Sequence, residues 1–151
     1  MEIDSRRAGH LAHNAAIYGV SDRIEIVNGD FLKLSKGIHA DVAFFSPPWG
    51  GPNYYLQGSY DVESMCGQEA FGLRNLLKKV FNEIKCCAAI FWFPRNSSLS
   101  QLDDALSILP EEHHRFGCEV ECTELNGFTK GLTVYYGKVA KGAGKTKGQR
   151  T

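Results

Sequence analysis

The chain has 151 residues, 43% of them hydrophobic, and a formal net charge of zero at pH 7, which is enough for one sizeable core and leaves no global field to attract a polyanion. Any contact with a polyanion must therefore come from a local patch. The amino terminus carries no apolar signal and no apolar run approaches the ~18 residues a span needs, so neither secretion nor a membrane helix is expected.

Strands alternate with helices along the chain, which argues an α/β sheet with parallel strands. Met1 to Asp4 reads as the tail of a strand. Ser5 to Tyr18 reads as a helix with Ala8, Leu11, Ala12, Ala15 and Ala16 on its packing side and Gly19 as its stop. Arg23 to Asn28 alternates and is expected to be a strand ending at Gly29-Asp30. Phe31, Leu32 and Leu34 begin a short helical connection, and Asp41 to Phe45 is the next, buried, strand. Gly50 to Gly67, with three tyrosines, is the longest expected loop. A helix then begins at Ser64 or Gly67 and runs to Lys85, carrying Leu73, Leu76, Leu77, Val80, Phe81 and Ile84 at helical spacing.

The continuous apolar run Cys86 to Phe93 is short and aromatic-rich and is read as a central strand ended by Pro94. Ser97 to Leu109 is a helix with Leu102, Leu106 and Leu109 facing inward. Gly117 to Leu125 and Leu132 to Val139 are two strands joined through Asn126-Gly127 by a hairpin loop longer than two residues. Residues 1–139 form the domain, and 140–151 are a basic tail expected to be disordered. The tail's Gly144-Lys145-Thr146 is no phosphate loop, because Val139 stands where its first glycine should be and no helix follows. Five cysteines are an odd number, Cys86 and Cys87 lie in the apolar run, and Cys118 and Cys122 are spaced to share one face of a strand rather than to hold zinc. Reduced, structural thiols in an intracellular protein are expected, and no metal site.

The run Ser46-Pro47-Pro48-Trp49-Gly50-Gly51 leaves the strand ending at Phe45. Prolines fix φ and lack N–H groups, so their carbonyls can face an exocyclic amine without a competing local bond. Trp49 supplies a stacking face and the glycines let the backbone turn closely behind it. Carboxylates at the ends of adjacent strands of an open α/β sheet stand where such folds hold nucleotides. Glu2, Asp4 and Asp30 are placed for this, with capping of a following helix the competing role for Asp4.

These residues carry a resemblance. Ser46 to Pro52, preceded by Gly29-Asp30-Phe31-Leu32 and followed by Phe93-Pro94-Arg95-Asn96, resembles the trimethylguanosine synthase family of cap guanosine-N2 methyltransferases, from Glu2 to about Lys138. The resemblance implies a Rossmann-like class I methyltransferase fold, S-adenosyl-L-methionine as donor, and methylation of the 2-amino group of 7-methylguanosine caps on small nuclear and nucleolar RNA. A monomer in the nucleus and cytoplasm is expected, the reduced cysteines arguing an intracellular protein. By the same resemblance Glu2, where the family more often has Asp, and Asp4 face the ribose. Asp30 and Phe31 face the adenine, and Ser46, Pro47 and Trp49 hold the base and align its amine. Arg95 and Asn96 stand near the cap phosphates, with Lys130, Tyr54 and Asn14 as further substrate contacts. A 7-methylguanine ring is cationic, so Trp49 would stack on it by cation–π attraction worth roughly 2 kcal/mol when desolvated.

A complete fold of this type begins with a strand and glycine-rich turn that cradle the methionine end of the donor, in the strand order 3-2-1-4-5-7-6. This sequence starts beyond that turn and beyond the family's preceding helical segment. The fold is therefore expected to be incomplete at its amino terminus, and activity of the bare chain does not follow from the family. Two other classes share part of the pattern: another amino-group nucleic-acid methyltransferase, and a non-catalytic cap-binding module.

Overall fold

The structure is a computed structural model and describes residues 1–51, 54, 56, 58–65 and 69–140. Pro52, the Gly67 end of the expected long loop, the Gly144-Lys145-Thr146 run and nearly all of the basic tail lie outside the described residues. The chain divides into two compact units, Met1–Ile38 and His39 onward.

In the first unit, Asp4 caps helix α1, Ser5–Ile17, by accepting from the backbone N–H groups of Arg6 at 2.9 Å and Arg7 at 3.2 Å. The expected packing side is narrower than the apolar pattern suggests. Only Ala8 and Ala15 are buried, whereas Leu11 is 48% exposed and Ala12 and Ala16 are also open. Ala8 and Ala15 lie seven residues apart, two turns of helix, so a single alanine seam makes the contact within this unit. The strands expected over Met1–Asp4 and Arg23–Asn28 reduce to one parallel bridge, Glu2 to Asn28. It is closed by Glu2 N–H to Val27 O at 3.0 Å and Gly29 N–H to Glu2 O at 2.9 Å. A 3₁₀ turn, Ser21–Arg23, takes the start of the second stretch. The Asn28 amide donates to the Glu2 and Ile3 carbonyls at 2.8 and 3.2 Å. Asp30 then caps the short helix α2, Phe31–Leu34.

The second unit is built on a four-stranded sheet in the order β1-β2-β4-β3, with β1 Val42–Phe45, β2 Ala88–Pro94, β3 Cys118–Leu125 and β4 Phe128–Gly137. β1 and β2 run parallel, whereas β4 is antiparallel to both β2 and β3. The sheet is thus mixed, and its order is that of strands 4-5-7-6 of the expected fold. β2 is internal and buried along one face through Ala89, Phe91 and Phe93. Phe91 stacks between Phe45 and Phe93, at centroid distances of 5.0 and 5.3 Å. β1 departs from the expected buried strand, because Val42 is 42% and Phe44 65% exposed on its other face.

Helix α3, Leu73–Lys78, begins later than expected and passes into a π-helical turn, Lys79–Ile84. All six predicted core positions from Leu73 to Ile84 are buried. The turn ends where Lys85 adopts φ 63° and Cys86 N–H reaches back to Val80 O at 3.0 Å, a left-handed cap that frees the chain to enter β2. Helix α4, Leu99–Asp104, starts two residues after the expected Ser97, because the Ser98 hydroxyl serves as its N-cap, and tightens into a 3₁₀ segment over Ala105–Ile108. A short helix α5, Glu111–His114, is not expected from the pattern.

The hairpin differs from expectation in a way that matters for the site. Asn126 at φ 54° and Gly127 at φ 75° form a two-residue turn, so β4 begins at Phe128 rather than Leu132. Two consecutive positive φ values are the signature of the turn that best matches strand twist. Lys130 is the extra residue of a β-bulge: the pairing passes from Thr123–Gly131 to Glu124–Thr129.

Candidate active site

The acids expected to meet the donor lie in the first unit. Glu2 and Asp30 are half-buried, and each spends one carboxylate oxygen locally. Glu2 Oε1 accepts from Asp4 N–H at 2.9 Å, and Asp30 Oδ1 from Leu32 N–H at 2.9 Å. Asp30 Oδ2 lies 3.8 Å from the exposed Lys33 ammonium. The Glu2–Asn28 bridge sets the two segment ends side by side, with half-buried Phe31 directly after Asp30. Asp4 differs, since one oxygen takes both backbone donors of the α1 cap. Asn14 lines a concavity of about 300 Å³ together with Glu2, Tyr18 and Glu25. Acceptor-only carboxylates with a second oxygen to offer suit the hydroxyls and amine of a nucleoside, and to that extent these residues fit the donor's adenosine end.

The residues expected to meet the base lie in the second unit. Ser46 follows the last β1–β2 pair, Phe45 to Phe91, so the proline loop leaves at the carboxyl ends of two parallel strands. Trp49 is half-buried and its indole N–H donates to the Trp92 carbonyl of β2 at 3.2 Å. The Tyr54 ring meets it edge-on at 5.2 Å and 77°, and the Trp92 ring lies 6.1 Å away at a tilt of 30°. Ser46 is exposed and Pro47 half-buried.

The antiparallel partner closes the same end. Gly131 opposes Pro94, so Arg95 and Lys130 both follow directly beyond the last β2–β4 pair. Both are exposed, and the Lys130 ammonium lies 5.8 Å from the Phe128 ring centroid. Asn96 holds loops together, since its amide N–H donates to the Tyr54 carbonyl at 3.2 Å and its own backbone carbonyl accepts from Tyr60 N–H at 2.8 Å. The turn from Pro94 to Ser97 is thereby tied to the loop that carries Tyr54. Ser46 to Gly51 contains no acid or base, so the loop can orient an amine but has no carboxylate or imidazole to deprotonate it.

Two residues of this cluster are not legible in the sequence. Trp92 reads only as one more apolar member of the central strand, and Gly131 falls in a stretch expected to be loop. The usable signal is alternation: Trp92 shares a strand face with Pro94, the half-open one, not the face of Phe91 and Phe93. Among the described residues, no group of three or more His, Cys, Asp or Glu side chains could hold a metal ion, and no helix is long and apolar enough to cross a membrane.

A family model described as RNA cap guanine-N2 methyltransferase matches residues 1–139. The chain belongs to that family. It is 36% identical over 134 residues to the trimethylguanosine synthase of Saccharomyces cerevisiae, covering 84% of this chain and 40% of that protein. Against the trimethylguanosine synthase of Schizosaccharomyces pombe it is 32% identical over 108 residues, covering 68% of this chain and 43% of that one. The chain thus spans about two fifths of the length of the curated relatives it matches. A solved structure from Nostoc punctiforme, assigned as an O-methyltransferase, superposes with a TM-score of 0.52 at 13% identity over 82% of this chain and 40% of that one. That likeness concerns the fold alone. It agrees with the class I methyltransferase fold expected of the family.

Proposed function

We propose that the chain carries the base-recognition and adenosine-binding parts of an enzyme that transfers a methyl group from S-adenosylmethionine to the 2-amino group of a 7-methylguanosine RNA cap. The observation that carries this reading is the pinned tryptophan. Trp49 is tethered through its indole N–H to the Trp92 carbonyl at the carboxyl ends of two parallel strands, three residues after the exposed Ser46.

The donor, when bound, supplies an electrophilic sulfonium methyl. Glu2 and Asp30 would accept from its ribose and adenine, and Phe31 would meet the adenine ring. Trp49 stacks on the cationic 7-methylguanine, and Ser46 with the Pro47 carbonyl accepts from the amine N–H groups and so turns its lone pair outward. Orientation would be the source of rate rather than a strong base: as the amine nitrogen gains the methyl, the sulfur–methyl bond breaks to leave a neutral thioether, and the displaced amine proton would pass to water. Arg95 and Lys130 meet the cap phosphates. The substrates are small nuclear and nucleolar capped RNAs, met by a monomer in nucleus and cytoplasm.

The test is methyl transfer from labelled donor to RNA bearing either a 7-methylguanosine or an unmethylated guanosine cap, with nuclease digestion of the product. Label on N2 of the 7-methylated cap only is expected. Label on an adenine, or equal labelling of both caps, would replace this reading with that of a different amino-group methyltransferase.

A further inference from the structure

We infer that Trp92 and Gly131 form a positioning device for the base platform, with the absent side chain of Gly131 holding open the place in which the Trp92 indole lies. The inference rests on the reading of Trp49 as the cap-stacking residue and adds the pair that holds it in place. The chain has two tryptophans, and the structure puts them together. Trp49 is anchored to the backbone carbonyl of Trp92, and the Trp92 ring is tilted against the Trp49 ring. The Trp92 ring also lies against Gly131 of the neighbouring strand. A Cβ at Gly131 would stand 2.6 Å from Trp92 Cζ2 and 2.9 Å from Cη2, and 2.9 Å from the Phe93 carbonyl oxygen. Contacts that short cannot be accommodated without displacing the indole, because the Phe93 backbone carbonyl is also too close to the added Cβ. Gly131 is itself buried and pairs with Pro94, so the strand cannot step back without losing the ladder that also brings Lys130 and Arg95 to this end.

The consequence is a chain of contacts from β4 through Trp92 to Trp49, in which neither Gly131 nor Trp92 meets the reacting atoms. Trp92 sets the tilt of the platform and, through it, the discrimination between a cationic 7-methylguanine and a neutral guanine. Cation–π attraction depends on the cation lying over the ring face, so a tilted platform loses the preference before it loses all binding.

The experiment titrates the chain with 7-methylguanosine diphosphate and with guanosine diphosphate, reading affinity by calorimetry and stacking by quenching of intrinsic fluorescence. Trp92→Phe lacks the two ring atoms nearest Gly131 and leaves Trp49 as the one tryptophan, so its emission reports the platform alone. Expected are a roughly tenfold loss of affinity for the 7-methylated ligand in Gly131→Ala and in Trp92→Phe, a smaller loss for guanosine diphosphate, and unchanged S-adenosylmethionine affinity. In the double variant the losses should not multiply, because both changes unseat the same ring. Trp49→Ala separates the two levels: if it leaves 7-methylguanosine diphosphate binding intact, the platform reading itself fails. If Trp49→Ala abolishes binding while Trp92→Phe retains wild-type affinity and quenching, the platform stands and this inference is overturned. Losses that multiply in the double variant, or donor affinity that falls in parallel, would equally overturn it. Should Gly131→Ala not fold, Trp92→Phe and Trp92→Ala decide the question by the same readouts.

Discussion

In the proposed function Asp30 serves both the fold and the donor. One oxygen of its carboxylate caps α2 through the Leu32 N–H, and the other faces the exposed Lys33. The two roles separate by substitution. Asp30→Asn keeps a good cap and removes the charge, whereas Asp30→Ala removes both and should also cost about 1 kcal/mol of stability. Both variants should weaken S-adenosylmethionine binding, Asp30→Ala on the order of 1.5 to 3 kcal/mol for a lost charge-assisted hydrogen bond. Calorimetry with unchanged donor affinity in either variant would move the adenosine site elsewhere. Such residues are legible in the sequence because their signals are local: an acid before a short helix, a polar-Pro-Pro-Trp loop after an apolar strand. Trp92 is not, because apolar periodicity marks a strand without saying what stands across from each face.

At the scale of elements, the hairpin shows why pairing has to be seen. Asn126-Gly127 reads as a turn signal, yet the polar Thr129-Lys130-Gly131 stretch looks like more loop; the bulge at Lys130 lets it stay in the sheet. One consequence lies on the other side of β4. Tyr136 is fully buried and its hydroxyl donates to the Leu102 carbonyl at 2.8 Å, joining the sheet to α4 near the point where that helix tightens. It pairs across the ladder with Cys118. Burial pushes the Cys118 thiol up from 9.0 to about 11 and raises Tyr136 further. A neutral thiol is therefore the form that the fold favours. The stability tied to Cys118 is fully present below the free thiol's pKa and is lost as pH rises through about 11. Denaturant titrations between pH 8.5 and roughly 11 should show wild-type stability falling more steeply than that of Cys118→Ala. Parallel declines would mean that the thiol stays accessible to water as an anion.

At the scale of the molecule, zero net charge left the second unit to gather cations locally, and the antiparallel β4 does so by bringing Lys130 to the end of the sheet where Arg95 stands. The order of strands follows from no single segment of sequence, because antiparallel insertion of β4 beside β2 is decided by which faces must be buried together. On the proposal that Arg95 and Lys130 meet the cap phosphates, log affinity for a capped oligonucleotide should fall with log salt at a slope of about −1.4, the single-strand value per phosphate taken twice. A slope much steeper than that would require a further basic surface. The central claim is that Trp49 holds the cap base, and calorimetric titration of wild type and Trp49→Ala with 7-methylguanosine diphosphate and, separately, S-adenosylmethionine tests it most directly. The account predicts that the substitution abolishes binding of the cap ligand and leaves donor affinity nearly unchanged. Wild-type affinity of Trp49→Ala for 7-methylguanosine diphosphate would contradict it.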